Sequence, residues 1–447
     1  MGKLFGTDGI RGVANRDLTP ELAYKIGRIA AWMLGRKTES ALFVIGRDTR
    51  LSGSMLEGSL TAGINSVGGE VCLLGVISTP AVAYLTRHLN ASAGMVISAS
   101  HNPIEDNGLK IFHSNGYKLP DALEEEIENY YYREVDELPR PEGRDLGQVV
   151  HDGDAIEKYL EHLKNNSAPL DGLYLVVDCA HGAASRVAGE LLQQLGAKVK
   201  LIHDQPDGSR INVDCGATDT TDLQREVVES KASLGLAFDG DADRLIAVDE
   251  KGNLVDGDAI MAICAVDLMT RNRLNQKTLV ATVMSNGGLD ILAEKHGFKV
   301  IRTVVGDRYV LEKMVEGGYN LGGEQSGHII FSDHATTGDG LLTALKLLKV
   351  IREQGQPLSE LASHLERLPQ VLVNQKVDTK EGWDKNERIT GAIKRIEQEL
   401  GKRGRILVRP SGTEAKIRVM LEASLPEDKL NEYAHSLADI IAEEQSR

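Results

Sequence analysis

The sequence predicts an α/β protein with mixed, mostly parallel sheets, closed by a small α+β domain. Three observations predict it. Short apolar runs alternate with helical periodicities through the first three quarters of the chain, the pattern of parallel strands with helices on both faces. The length of 447 residues corresponds to about three domains at roughly 150 residues each. Beyond Pro369 the rhythm changes to strand, helix, two strands and a last helix.

In the first unit, residues 41–45, 71–76 and 94–97 read as strands. Residues 21–34 read as a helix entered through Thr19 and Pro20, an N-cap and a first-turn proline. The charged stretch 121–144 reads as an exposed helix and a connection, since acid-rich runs are ordinarily solvated faces. A second unit begins near Ile156, with strands 173–177 and 198–202 around a helix 185–195, then strands 234–238 and 245–248 flanking an acidic loop. A third runs from about Gly257 through helix 259–269, strand 278–283 and helix 289–296 to a closing helix 340–354. Pro357 and Pro369 bracket a hinge-like stretch. The tail has strand 371–377, helix 386–400, strands 405–408 and 416–421, and a terminal helix.

Composition narrows the function. Hydrophobic residues at 41% and charged residues at 26% are ordinary for a globular protein that needs no staple to fold. A net charge of −15 excludes a nucleic-acid partner, which requires a basic face, but not a small phosphorylated ligand held by local arginines. Cys72, Cys179, Cys215 and Cys264 form no close pair, which reads as a reduced, cytoplasmic chain. The first residues lack an apolar signal core, and no run approaches the ~20 residues that span a bilayer, so no membrane partner is expected.

Five segments carry candidate chemistry. In Asp239-Gly-Asp-Ala-Asp-Arg244 three carboxylates fall at alternate positions after an apolar strand. In an extended segment they point the same way and converge on one hard cation. An EF-hand is the rival, with Glu250 at its twelfth position, but Arg244 stands where that loop needs glycine. A solvated acidic turn is the plainer alternative. Ser98-Ala-Ser-His-Asn-Pro103 also follows a strand, where ligands collect in open α/β sheets. A hydroxyl there can carry a phosphoryl group, although alone the segment reads more readily as a Ser/Asn turn, and nothing in it selects Ser100 over Ser98. Arg409-Pro-Ser-Gly-Thr-Glu414, with Arg418 on the next strand, makes an anion cradle or a plain hairpin turn. Gly322-Gly-Glu-Gln-Ser-Gly-His328 can approach a ligand's hydroxyls or serve as an ordinary polar loop. Phe5-Gly-Thr-Asp-Gly-Ile-Arg-Gly12 is a phosphate-facing loop or a turn.

These five segments, in this order and over nearly the whole chain, resemble the α-D-phosphohexomutase family. The Gly-Thr-Asp-Gly-Ile-Arg start, the Gly-Glu-Gln-Ser-Gly-His loop and the length resemble its bacterial members that act on glucosamine phosphates. Relatives acting on mannose or glucose phosphates often carry methionine where Gln325 stands. The resemblance implies three related α/β units with mixed, mostly parallel sheets plus a C-terminal α+β domain around a central cleft. They would divide as 1–150 for the phosphoserine, 151–255 for the metal, 256–368 for the sugar and 369–447 for the second phosphate. It implies that Ser100 is the phosphoserine and that Asp239, Asp241 and Asp243, with Ser100, hold one Mg²⁺. Arg11, His101, Lys110, Arg244 and His328 would surround the transferring group. Glu324, Ser326 and His328 would read the sugar, while Arg409, Ser411, Gly412, Thr413 and Arg418 hold the idle phosphate. The implied substrate is a small phosphosugar feeding UDP-N-acetylglucosamine synthesis, with glucosamine 1,6-bisphosphate as intermediate and activator; a homodimer stays open. A phosphatase or a non-catalytic phosphosugar sensor are the rivals, and the second would have no reason to keep three clustered aspartates.

Overall fold

The computed structural model describes residues 4–6, 8–35, 41–401, 404–411 and 415–445. The chain forms two compact units, Met1–Val283 with Val300–His364, and Met284–Lys299 with Leu365–Arg447.

The first unit contains three sheets. In the first, β1 (Ile10–Val13), β2 (Leu42–Arg47), β3 (Glu70–Val76), β4 (Ala93–Ile97), β5 (Asp106–His113) and β6 (Val149–Val150) lie in the order β1-β5-β4-β2-β3-β6. Strands β2, β3, β4 and β6 are parallel, and β5 runs antiparallel to both β4 and β1. In the second, β7 (Tyr174–Asp178), β8 (Lys198–Ile202), β9 (Leu234–Phe238), β10 (Leu245–Val248) and β11 (Leu254–Val255) lie in the order β11-β10-β9-β7-β8. Here β7, β8 and β9 are parallel and β10 returns antiparallel to β9. In the third, β12 (Thr278–Thr282), β13 (Lys299–Thr303), β14 (Leu321–Gly323) and β15 (Ile329–Phe331) lie in the order β13-β12-β14-β15, with β14 parallel to β12 and β15 antiparallel to β14.

One arrangement thus occurs three times. A buried parallel strand (β4, β9 or β14) runs into a loop and comes back as an antiparallel neighbour (β5, β10 or β15). The strands leading in are buried at every residue, which is why they read as unbroken apolar runs. The three loops between them, 98–105, 239–244 and 324–328, hold three of the five segments singled out above. Strand β5 escapes a reading by hydrophobicity because Asn107 and Lys110 sit buried within it.

The helix Pro20–Gly35 begins as anticipated, with Thr19 Oγ1 accepting from the Leu22 amide at 3.3 Å. The anticipated helix 185–195 is instead a 3₁₀ turn Ala183–Arg186 followed by a short helix Ala188–Gln194. Its start is pinned elsewhere, the Ala183 amide donating to the Gly240 carbonyl at 2.8 Å, and Val187 leaves helical geometry at φ −126°. The stretch 121–144 does open with a helix, Asp121–Tyr131, and continues as a connection.

In the second unit, β16 (Gln370–Lys376), β17 (Gly404–Pro410) and β18 (Lys416–Ala423) form an antiparallel sheet in the order β16-β18-β17. Helices Glu387–Leu400 and Glu427–Gln445 pack on it through Ile389, Ile396, Leu430, Leu437 and Ile441 against Ile417, Val419 and Leu421. The helix Gly288–His296 belongs with this unit: the Gly287 amide donates to Glu422 Oε1 at 2.8 Å and Asn286 Nδ2 to the Leu368 carbonyl at 3.0 Å. All four cysteines are buried thiols. Among the described residues no helix is long and apolar enough to cross a membrane.

Candidate active site

Ser100 is buried at 2% exposure, just past the end of β4, in a left-handed conformation with φ +52°. Its hydroxyl donates to Asp239 Oδ2 at 2.6 Å and lies 3.2 Å from His101 Nδ1. Ser98 faces elsewhere: its hydroxyl donates to Asp48 Oδ2 at 2.6 Å and accepts from the Ser100 amide at 2.9 Å. Only one of the two serines therefore meets the acidic loop.

Asp239, Asp241 and Asp243 are all buried, with one carboxylate oxygen from each within 4.8 Å of the others. They converge for a different reason from the one anticipated. The segment is a turn, not an extended strand, and Ala242 takes φ +55° to close it. Asp241 Oδ2 accepts from Thr79 Oγ1 at 2.6 Å and from Lys110 Nζ at 2.9 Å, and Lys110 also meets Asp243 at 3.3 Å. Asp241 Oδ1 and Asp243 Oδ1 are buried and meet no hydrogen-bond partner among the described residues. Burial first, then the Asp243 and Asp241 carboxylates, push Asp239 well above the ordinary carboxylate range. Burial acts the same way on Asp241, but Lys110 and Thr79 outweigh it and hold that carboxyl low. Bare buried oxygens in an all-oxygen set fit a hard divalent cation, which would relieve the repulsion that protonation otherwise relieves. Glu250, the twelfth ligand of an EF-hand, turns away to accept from the Ser359 amide at 3.2 Å.

The first sheet and the residues just after β5 add the cations. Arg11 on β1 pairs with Asp8 and donates to Asn102 Oδ1 at 3.2 Å. Lys110 on β5 meets Asp8 at 3.2 Å. Lys118 bridges Asp8 and Asp307, and His328 Nε2 stands 3.6 Å from Asp307. A chain of alternating charge so runs from the acidic triad to the third loop. Burial opposes ionisation of Asp8 and Asp307, yet the neighbouring cations hold both carboxyls below their usual range. Burial, then Arg244 and Arg11, push His101 down to about 4, so its ring is neutral at physiological pH.

The second and third loops touch directly. Arg244 and His328 form a β-bridge, and the Leu245 amide donates to the Gly327 carbonyl at 3.0 Å. Gly327 has φ +92°, and a Cβ there would come within 2.3 Å of the Leu245 carbonyl oxygen, so glycine is required. Arg244 Nε lies 3.9 Å from Asp239 and 4.0 Å from Asp243. Glu324 accepts from the Gly306 amide at 3.1 Å, and Ser326 Oγ is buried with no hydrogen-bond partner among the described residues. Gln325, the residue that resembles the glucosamine branch, donates at 3.3 Å to Asp256 Oδ2, whose carboxylate caps the helix Gly257–Thr270.

In the second unit Arg409 and Arg418 stand directly opposite each other on β17 and β18. Like charges opposite one another destabilise a sheet, and burial together with Arg418 draws the Arg409 guanidinium below its usual range. Buried Ser411 donates its amide to the Lys416 carbonyl at 2.8 Å, and Lys380 Nζ donates to the Ser411 carbonyl at 2.7 Å. Gly412 and Thr413 lie outside the described residues. Thr79, Lys118, Asp307 and Lys380 carry no motif and escaped sequence reasoning. Each is found only through a partner in a singled-out segment elsewhere in the chain: Asp241 for Thr79, Asp8 for Lys118, His328 for Asp307 and Ser411 for Lys380.

The chain is similar to known proteins over nearly its whole length. The sequence fits the phosphoglucomutase/phosphomannomutase family in four successive parts, alpha/beta/alpha domains I, II and III over residues 2–137, 157–252 and 256–368, and the C-terminal domain over 372–440. It is 53% identical to the phosphoglucosamine mutase of Symbiobacterium thermophilum, over 99% of this chain and 100% of that protein. Its fold resembles a phosphoglucomutase/phosphomannomutase family protein of Burkholderia thailandensis, with TM-score 0.83 and 22% identity, covering 100% of this chain and 98% of that one. It also resembles the N-acetylphosphoglucosamine mutase of Aspergillus fumigatus in complex with GlcNAc-6P and magnesium, with TM-score 0.73 and 19% identity, covering 99% and 96%. With all four domains matched in order and more than half of its residues shared with a full-length relative, the chain belongs to the phosphoglucomutase/phosphomannomutase family, whose members are phosphosugar mutases.

Proposed function

We propose that this chain interconverts glucosamine 6-phosphate and glucosamine 1-phosphate by way of a phosphorylated Ser100. The observation that carries the reading is the 2.6 Å bond from the Ser100 hydroxyl to Asp239, inside a buried acidic triad in which Asp241 Oδ1 and Asp243 Oδ1 meet no hydrogen-bond partner among the described residues.

In the first half of the cycle, the bond from phosphorus to Ser100 Oγ breaks as one forms from phosphorus to the free sugar hydroxyl. The hydroxyl proton ends on Ser100 Oγ. The product is the 1,6-bisphosphate, which turns over and presents its other phosphate. Ser100 then takes that group back, its proton passing to the departing sugar oxygen. Lys110 or His328 would take and give the hydroxyl proton in transit; His101, 3.2 Å from Oγ, would orient the hydroxyl. Arg11 and Arg244 counter charge on the transferring group. Asp239, Asp241 and Asp243 would hold Mg²⁺ together with the Ser100 phosphate, and the ion would supply further charge neutralisation at the phosphoryl oxygens. Glu324, Ser326 and His328 would contact ring hydroxyls, and Arg409, Ser411 and Arg418 the phosphate not reacting. Glucosamine 1,6-bisphosphate supplied from outside would prime an unphosphorylated chain.

The test compares turnover of glucosamine, glucose and mannose phosphates in one assay, with intact-mass measurement of the protein. The expected results are preference for glucosamine phosphates and a species about 80 Da heavier in wild type that Ser100→Ala lacks. Near-normal turnover by Ser100→Ala sinks the reading. Preference for glucose or mannose phosphates replaces the substrate and leaves the chemistry.

A further inference from the structure

Arg50 follows β2, is 1% exposed, and directs both Nη groups of its guanidinium at residues 100–106, the stretch that carries Ser100. Nε donates to Asp48 Oδ2 at 3.0 Å. Nη1 donates to the carbonyls of Pro103 and Asp106, at 2.5 and 2.8 Å, and Nη2 to those of Ser100 and Asn102, at 3.0 and 2.8 Å. All five N–H groups of an arginine are then used. Asp48, also fully buried, accepts from the Arg50 amide at 2.9 Å and from the Ser98 hydroxyl, which in turn accepts the Ser100 amide. From the second sheet's side, Asn212 Nδ2 donates to the Ser100 carbonyl at 2.9 Å.

Ser100 is therefore gripped at both backbone groups. Its N–H is held by Ser98 and its C=O by Arg50 and Asn212, around a φ of +52°. Serine avoids that region unless its surroundings impose it. A buried ion pair is a poor way to gain stability, because apolar residues of the same volume do as well or better. What a planar fork with fixed donors does supply is geometry.

We propose that Arg50 is the positioning residue of the phosphoryl carrier, holding the 98–106 loop so that Ser100 Oγ faces the acidic triad, with Asn212 as the second anchor of the same carbonyl. This inference rests on Ser100 being that carrier. Arg50 touches no reacting atom; it acts through the Ser100 backbone.

The experiment uses the full chain with Arg50→Lys and Asn212→Ala. Lysine keeps the charge beside Asp48 and loses the fork. Its kcat, normalised to the folded fraction from circular dichroism, should fall about 100-fold, the scale of a misplacement near 1 Å. KM for the sugar phosphate should stay within about threefold. A merely structural role would lower the folded fraction and leave the normalised kcat intact. If Arg50→Lys does not fold, Asn212→Ala decides, since it removes one donor from a half-buried side chain: a kcat loss of about tenfold at unchanged KM is expected from a lost hydrogen bond, and unchanged kcat overturns the proposal. A normalised kcat within about threefold of wild type in Arg50→Lys overturns it too. If wild type shows the added phosphoryl mass and Ser100→Ala is dead, such a result sinks this inference alone; if Ser100→Ala is active, the carrier reading beneath it fails first.

Discussion

The Ser100 hydroxyl donates to the Asp239 carboxylate across 2.6 Å, joining the hairpin loop of the first sheet to that of the second. The Leu245 amide joins the second loop to the third through the Gly327 carbonyl. Three copies of one hairpin arrangement thus meet, one from each sheet: the first brings Ser100, the second the acidic triad and the third the polar loop Glu324 to His328. Several outcomes are expected from that meeting.

Asp241 offers one oxygen to Thr79 and Lys110 and leaves the other bare. Asp241→Asn should weaken Mg²⁺ binding by at least about tenfold in titration calorimetry, since even outer partners of a metal site are worth that much. Chelation should abolish wild-type turnover, and Mg²⁺ should restore it. Turnover that survives chelation would remove the ion from the chemistry.

Gly240 sits where the second loop passes the first. A Cβ there would lie 2.7 Å from the Ser100 carbonyl oxygen and 2.8 Å from Asn212 Nδ2. Neither the backbone oxygen nor its anchored partner has room to give. Gly240→Ala should cost about 1–3 kcal/mol in denaturant unfolding, the range for overpacking, and should lower kcat by moving Ser100. An alanine variant as stable as wild type would show that the loops are looser than these distances imply.

Arg409 and Arg418 oppose each other across β17 and β18. An anion between them would turn a repulsive pair into a binding site. Removing one charged hydrogen-bond donor costs about 1.5–3 kcal/mol, or about 10–100-fold in affinity. Arg418→Ala should therefore raise KM by that factor, with a smaller change in kcat. An unaltered KM would mean that these arginines do not hold substrate.

Lys346 is drawn down from 10.5 to about 8, by burial first and then by Lys349. The unfolded chain holds this proton to about pH 10.5 and the folded chain releases it near 8. Below pH 8 both forms are charged and the folded state bears the desolvation cost. Between 8 and 10.5 the unfolded state binds more protons, so this group's contribution to stability rises with pH. Lys346→Met should be more stable than wild type at pH 7, by on the order of 1 kcal/mol once solvent screening and the lost bond to the Asn166 carbonyl are discounted. The gap should close by pH 10. Equal gaps in thermal melts at the two pH values would contradict this.

The sequence by itself determined the elements whose signal is local. Strands β9 and β10 and the helix Gly340–Gln354 stand at the residues their apolar patterns indicated, because a strand buried on both faces and a helix with an inward stripe write burial directly into residue order. The acidic loop was visible for the same reason: its three aspartates are neighbours in the chain. The tertiary structure alone decided the rest. It separated Ser98, spent on Asp48, from Ser100, turned to Asp239. It showed that the triad converges through a left-handed turn at Ala242 and that β5 runs through buried Asn107 and Lys110. It also linked Asp8, Lys118 and Asp307. Each of these depends on groups brought together from distant parts of the chain, and a charge or hydroxyl paired across a hundred residues leaves no periodicity for its neighbours in sequence to carry.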